Sequence, residues 1–168
     1  GAQEVSEEEE MARLRRALPV VKREQPDMAV SVDTYRPDVA RMVVEEYGAD
    51  IINDVSEGGI TGIVDTPLEG THDDIPEIFR MVAQLKVPYI LMSVKPTMDT
   101  MKSALRKEIA LLHDMGHDDI IIDPGYGFGK SIEQNYEVLA RQEELCELGF
   151  PLLIGVSRKR LIWQTLGT

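Results

Sequence analysis

Cysteine is nearly missing from this sequence. Cys146 stands alone, so no internal disulfide can staple the fold, and such usage fits a reducing compartment such as the cytoplasm. It sits beside Leu145 and near Leu148 in a stretch with helical patterning, which predicts an inert packing residue rather than a catalytic thiol. Long apolar runs are absent too: nothing approaches the ~20 residues that cross a bilayer, and no basic-then-apolar segment opens the chain. Basic charge is in deficit, with 18 Lys and Arg against 30 Asp and Glu and a formal net charge of -12. That balance excludes the concentrated basic field by which a protein holds nucleic acid or an anionic membrane surface. His72, His113 and His117 lack metal-ligand spacing, so no zinc site is expected. Aromatic residues are few and scattered, and Trp163 is expected to pack on a helix face rather than to serve as a stacking platform. What is left is the composition of one ordinary globular core, and residues 1–168 read as a single domain.

The charge that is present is unevenly placed. Glu7 to Glu10 form an acidic run near the start, and Arg158, Lys159 and Arg160 a basic cluster near the end. Ser6 with Glu9 fits a capping box, and early Glu side chains suit a helix N-terminus through its dipole. The pattern then predicts a helix over Val5 to Glu24, bent or shortened at Pro19. Strand-like and helix-like segments follow in alternation. Strands are expected at Ala29–Asp33, Ile51–Asp54, Tyr89–Met92, Ile120–Asp123 and Leu152–Gly155. Helices are expected at Pro37–Tyr47, up to about Leu85, at Thr100–Met115, at Ser131–Leu148 and from near Arg158. A loop rich in Gly and Thr covers Ser56 to Asp74. Short, continuous apolar strands between helices describe a parallel sheet covered by helices or closed into a barrel.

Each predicted strand ends in groups that an apolar core rejects: Asp33, Asn53 with Asp54, Ser93, Asp123, then Ser157 with Lys159. A doubly wound sheet gathers only the strands at its switch point, whereas a (β/α) barrel brings every strand's C-terminal end to one mouth. Polar tips on all five strands therefore favour the barrel.

The sharpest motif is Asp123-Pro124-Gly125-Tyr126-Gly127-Phe128-Gly129-Lys130. Its Gly-Lys-Ser ending invites a phosphate-loop reading, but the template needs Gly where Pro124 stands, and proline has no N–H to offer a phosphate. What remains is a carboxylate at a strand end followed by a turn that brings backbone close to a ligand. A buried carboxylate is costly unless it meets donors, and a ligand edge with two parallel N–H groups satisfies both of its oxygens. The alternative is that Asp123 caps its own turn or pairs with a neighbouring Lys. Asn53 can donate and accept together, which suits a heterocycle edge or a structural bond to a nearby loop. Arg158-Lys159-Arg160 at a strand-to-helix turn reads as an anion site or as a solvated charge run.

Taken in order, these segments resemble the dihydropteroate synthases, a family of pterin-binding barrels. Gly1-Ala2 with Val5 and Ser6 resembles the stretch after that family's Ser-Thr-Arg-Pro loop. Ser31-Val32-Asp33-Thr34 resembles its third strand, Ile51-Ile52-Asn53-Asp54-Val55 its fourth, and Val87-Pro88-Tyr89-Ile90-Leu91-Met92 its fifth. Ile122-Asp123-Pro124-Gly125 with Phe128-Gly129-Lys130 resembles the sixth, and Gly155 with Ser157-Arg158-Lys159 the seventh.

The resemblance implies a (β/α)8 TIM barrel, of which this chain covers about five strands. It implies the condensation of 6-hydroxymethyl-dihydropterin pyrophosphate with p-aminobenzoate in folate synthesis. Asp33, Asn53, Met92, Asp123, Phe128, Gly155 and Lys159 are then the pterin site, with Asp123 taking the 2-amino and N3 hydrogens. Phe128, Lys159 and Arg160 border p-aminobenzoate, and Lys159 is the catalytic residue. Mg²⁺ is expected with the pyrophosphate and no metal held by this segment itself; a homodimer is expected. The family's first strand, its Ser-Thr-Arg-Pro loop and its final strand have no counterpart here, so the 168 residues alone are expected neither to close a barrel nor to be active. Ser93 stands where many members carry His, Arg160 where many carry Ser, and the stretch from Pro96 to Met115 is shorter than in many. The runner-up is a methyltetrahydrofolate-to-corrinoid methyltransferase, which shares the Asp and Asn contacts but needs no basic turn at Ser157 to Lys159. The third possibility is a non-catalytic module.

Overall fold

A computed structural model describes residues 5–58 and 75–167. The first helix, α1 (Glu7–Glu24), starts where Ser6 Oγ accepts the Glu9 N–H at 3.3 Å, with four Glu in its first turn and Lys22 and Arg23 in its last. Side-chain cap and charges both suit the helix dipole. The helix runs unbroken past Pro19, contrary to the shortening expected. Pro19 is exposed, so water can take the carbonyl that loses its N–H partner.

The chain continues as β1 (Ser31–Asp33), α2 (Pro37–Glu45), β2 (Ile51–Asp54), α3 (Glu77–Leu85), β3 (Tyr89–Met92), α4 (Met98–Asp114) and β4 (Ile120–Asp123). Three further helices, α5 (Ile132–Ala140), α6 (Glu143–Cys146) and α7 (Arg160–Leu166), complete it. The strands are parallel and lie in chain order, β1-β2-β3-β4. Helices α1 to α4 also neighbour one another in chain order. Sequential strands behind a sequential helix layer form the wall of a (β/α) barrel, since a doubly wound sheet reverses its strand order part-way.

Side chains alternate across each strand, which sorts residues by face. Val32, Ile52, Tyr89, Leu91, Ile120 and Ile122 are buried with Val39 and Val43 of α2, Phe79 and Val82 of α3, and Met101 and Leu105 of α4. Each such apolar side chain contributes about 1.5–3 kcal/mol on burial. The opposite face carries Asp33, Asn53, Met92 and Asp123.

Leu152–Gly155 is not a fifth strand: it makes one parallel bridge, Leu152 beside Ile122, flanked by bonds from Ile122 N–H to Pro151 O and from Leu153 N–H to Ile122 O. Pro151 cannot donate, and Ile154 points into solvent at 41% exposure, so the ladder stops. The sheet among the described residues therefore has four strands, not five. Ser131–Leu148 is two helices rather than one; around Arg141 the bonds tighten to Gln142 N–H with Leu139 O and Glu144 N–H with Arg141 O. The Arg141 side chain reaches Asp99, Glu137 and Glu144 from this corner. Helix α4 begins two residues before Thr100, because Thr97 and Thr100 cap each other reciprocally, in the manner of a capping box. Cys146 is exposed while its neighbour Leu145 fills the core. Trp163 is 48% exposed, on the outer side of a short helix, rather than packed. No helix of the described residues is long and apolar enough to cross a membrane.

Candidate active site

The inner face of the sheet collects the polar strand tips. Asp33 lies in register with Asn53, and Met92 with Asp123. The Asn53 Nδ2 donates to Asp33 Oδ1 at 2.7 Å. Its Oδ1 is buried with no hydrogen-bond partner among the described residues, an arrangement that native structures seldom tolerate without a ligand or water. Asp123 Oδ1 accepts the Gly125 N–H at 2.8 Å, so part of the turn-capping alternative holds. Burial pushes the Asp123 carboxyl up; the Gly125 N–H, Lys159 and Lys130 pull it back. This is a carboxylate poised to gain from further donors.

Beside Asp33, the start of α1 and the tips of β1 and β2 line an open cleft of about 400 Å³ that includes Thr34 and Tyr35. Arg36 pins α1 there by ion-pairing with Glu10 and donating to the Val5 carbonyl at 2.6 Å. Neither contact is legible from a local pattern.

After β4, the Gly-rich turn folds against protein rather than leaving room for a ligand at every glycine. Gly125 has φ +65°, and a Cβ there would stand 2.3 Å from the Ser93 carbonyl oxygen. Such an approach demands glycine. Lys130 donates to the carbonyls of Ser93, Gly125 and Phe128 at 3.1–3.2 Å, and burial lowers its ammonium to about 8. Asn135 of α5 accepts the Gly127 N–H at 2.7 Å.

The basic triplet divides. Arg158, with φ +58°, and Arg160 are exposed, whereas the Lys159 ammonium folds to 4.1 Å from the centroid of the Phe128 ring. Lys159 is the N-cap of α7 and gives no side-chain cap. The structure thus places Asp33, Asn53, Met92 and Asp123 on one sheet face, with Lys159 acting on Asp123 and lying on the Phe128 ring. Arg160 faces a smaller cavity with Lys130 and Ser131. At Gly155 an added Cβ would meet only Leu153 Cδ2, at 4.0 Å, so no close approach requires glycine there.

Two of the expected tip residues turn away. Asp54, fully buried, accepts from Ser56 N–H at 2.7 Å, Ser56 Oγ at 2.6 Å, Gly58 N–H at 2.8 Å and Tyr89 Oη at 2.5 Å. Ser93 Oγ donates to Glu57 at 2.9 Å, and Glu57 also pairs with Lys95 at 3.2 Å. Glu108 of α4 approaches this group; burial, then the facing Glu57, lifts its carboxyl to about 8. Sequence reading missed the set, although strand alternation gave one signal: with Asn53 inward, Asp54 must face the helices. His113 pairs with exposed Asp118, and His117 is buried edge-on to Tyr89. His72, Gly1-Ala2 and the Gly- and Thr-rich loop beyond Gly58 lie outside the described residues. Among the described residues no group of His, Cys, Asp or Glu is arranged to hold a metal ion.

Comparison with known proteins matches residues 1–168 to the pterin binding enzyme family. The chain belongs to that family. Dihydropteroate synthase of Streptococcus pyogenes serotype M3 is 35% identical over 176 residues, covering 99% of this chain and 60% of that protein. The corresponding enzyme of Clostridium beijerinckii is 37% identical, again over 99% of this chain and 59% of its own. Among solved structures, the Clostridium difficile synthase determined with pteroic acid superposes with a TM-score of 0.82 at 30% identity, over 100% of this chain and 61% of that one. The Xanthomonas albilineans synthase in complex with 7,8-dihydropteroate gives 0.75 at 37% identity, over 99% of this chain and 60% of that one. The chain thus spans about 60% of the length of the relatives it matches, and its four-stranded wall is part of a TIM barrel.

Proposed function

We propose that this pterin-binding chain carries the pterin site of a dihydropteroate synthase, joining a pterin-methyl pyrophosphate to p-aminobenzoate. One observation carries the reading: the buried, unpartnered Asn53 Oδ1 lies on the same sheet face as the Asp33 and Asp123 carboxylates. Acceptors gathered on one face suit a flat ligand whose edge presents several N–H groups. Asp123 is assigned the amidine-like edge, Asp33 and Asn53 the remaining ring polar atoms, and Met92 and Phe128 the apolar walls that a planar heterocycle needs. Gly155 remains a pterin contact only through its backbone.

Lys159 is assigned two tasks. Its ammonium reaches the pterin carbonyl, and with Phe128 and Arg160 it borders p-aminobenzoate. The substitution is dissociative in character: the bond to pyrophosphate breaks, a pterin-methyl cation develops, and the aromatic amine attacks it. No side chain forms a covalent intermediate, so the residues act by holding both reactants in line and by electrostatics. The described residues form no metal cluster. Mg²⁺ would accompany the pyrophosphate as its counter-ion. A homodimer in the cytoplasm is the proposed setting. The synthases named above support this reading over a corrinoid methyltransferase.

The test is formation of dihydropteroate, with release of pyrophosphate, from the two substrates by a version in which these residues sit in a complete barrel, since the four strands of the described residues do not close one. Product that appears only when both substrates are present supports the reading. Pterin binding without condensation, or methyl transfer from a folate, sinks it.

A further inference from the structure

Lys130 has no part in the substrate contacts proposed above, yet its three donors are all committed. They go to the carbonyls of Ser93, Gly125 and Phe128, and an ammonium has only three to give. Two of these carbonyls lie in the Gly-rich turn and the third immediately follows β3. The cation is therefore a staple between strand and turn, held by carbonyl dipoles instead of a carboxylate.

From the other side, Asn135 accepts the Gly127 N–H and donates from Nδ2 to the Ser131 carbonyl at 2.6 Å and the Lys130 carbonyl at 3.3 Å. The residue held between these two anchors is Phe128. Its carbonyl is fixed by Lys130, the preceding N–H by Asn135, and its own N–H bonds Gly125 O at 3.0 Å. Its ring carries the Lys159 ammonium. Asp33 and Asn53, on β1 and β2, share no bond with the staple.

We propose that Lys130 is a positioning residue for the second substrate: it sets the Phe128 ring, and through the ring the Lys159 ammonium, where p-aminobenzoate meets the pterin. The proposal rests on the synthase reading and adds a selectivity to it. Loss of the staple should harm p-aminobenzoate use more than pterin binding: the pterin keeps Asp33 and Asn53, and Asp123 with its Gly125 N–H, whereas p-aminobenzoate is assigned only Phe128, Lys159 and Arg160. The burial that depresses the ammonium agrees with a cation enclosed by backbone carbonyls.

The experiment is steady-state kinetics and pterin calorimetry on Lys130→Met, which keeps an unbranched stem and removes all three donors. The KM for p-aminobenzoate should rise by about tenfold or more, since small misplacements near reacting groups are costly, with the pterin Kd within about threefold. Combined with Phe128→Leu, the variant should raise that KM no further than the larger single change, because residues acting through one contact are not additive. Equal losses for both substrates, or full additivity with Phe128→Leu, overturn the proposal. If Lys130→Met does not fold, Lys130→Gln must show the same selective rise at smaller size; an unchanged KM in it overturns the proposal equally. A parent version with a complete barrel that makes no product overturns the synthase reading and this inference with it. An active parent whose Lys130 variant is unaffected removes the inference alone.

Discussion

The Lys159 ammonium lies against the face of the Phe128 ring, 4.1 Å from its centroid, and its stem passes Gly127, where an added Cβ would stand 3.1 Å from Lys159 Cδ. A cation on an aromatic face is held by the ring's quadrupole. Here the contact ties the N-cap of α7 to the turn after β4 and leaves one charged, one flat and one glycine surface side by side.

Removing that charge tests its role. Lys159→Ala should lower turnover by about 10²–10³-fold, with a smaller loss of pterin affinity, as expected for a group acting mainly in the transition state. Steady-state rates and pterin titration separate the two effects. Turnover within about twofold of the parent would reduce Lys159 to a surface charge.

Gly125 is where the turn is tightest. Gly125→Ala places a Cβ 2.3 Å from the Ser93 carbonyl at a φ of +65°, so both clash and backbone strain oppose it. Stability should fall by about 2–4 kcal/mol, read from the urea midpoint. An unchanged midpoint would show that the turn can step away from β3.

Glu108 predicts a pH dependence. Burial, then the Glu57 carboxylate, raises its carboxyl to about 8, while Lys95 acts the other way and Asp54 adds to the rise. A raised folded-state value means that the folded protein binds the extra proton. Its stabilising contribution is full below the unfolded value of 4.5 and is lost as pH rises through about 8. Glu108→Gln cannot ionise. It should melt close to the parent near pH 5 and be the more stable of the two at pH 9, by on the order of 2 kcal/mol. Melting curves at both pH values decide it; equal stabilities at pH 9 would mean that Glu108 is ionised at no cost.

Much of this arrangement was legible in the residues. Strands β2, β3 and β4 begin and end where apolar runs and polar tips placed them, because a strand buried by helices leaves an apolar signature in the sequence. The placing of Asp33, Asn53 and Asp123 at strand ends was legible for the same reason: polar groups there stand out against an apolar run. Leu152–Gly155 misled, because its apolar run has strand character but Pro151 and an open flank deny it a ladder. The Asp54, Tyr89, Glu57, Ser93 and Glu108 set was illegible because its members meet only once register and face are fixed. Ser93 in particular sits at a strand tip, as expected, yet its hydroxyl turns to Glu57 rather than to the mouth. The Lys130 staple was hidden likewise, since its three partners are backbone carbonyls that no side-chain pattern reveals.

On the proposed reading, the inner sheet face binds a pterin edge through Asp123. Calorimetric titration of a 6-hydroxymethylpterin ligand into the parent protein and Asp123→Asn tests it most directly. Asparagine can still accept the Gly125 N–H but offers the ligand an amide where a carboxylate oxygen stood. Binding should therefore weaken by about 2–4 kcal/mol in a variant that melts like the parent. Equal affinities in two folded proteins would contradict the assignment of Asp123 and, with it, the account of this face as a pterin site.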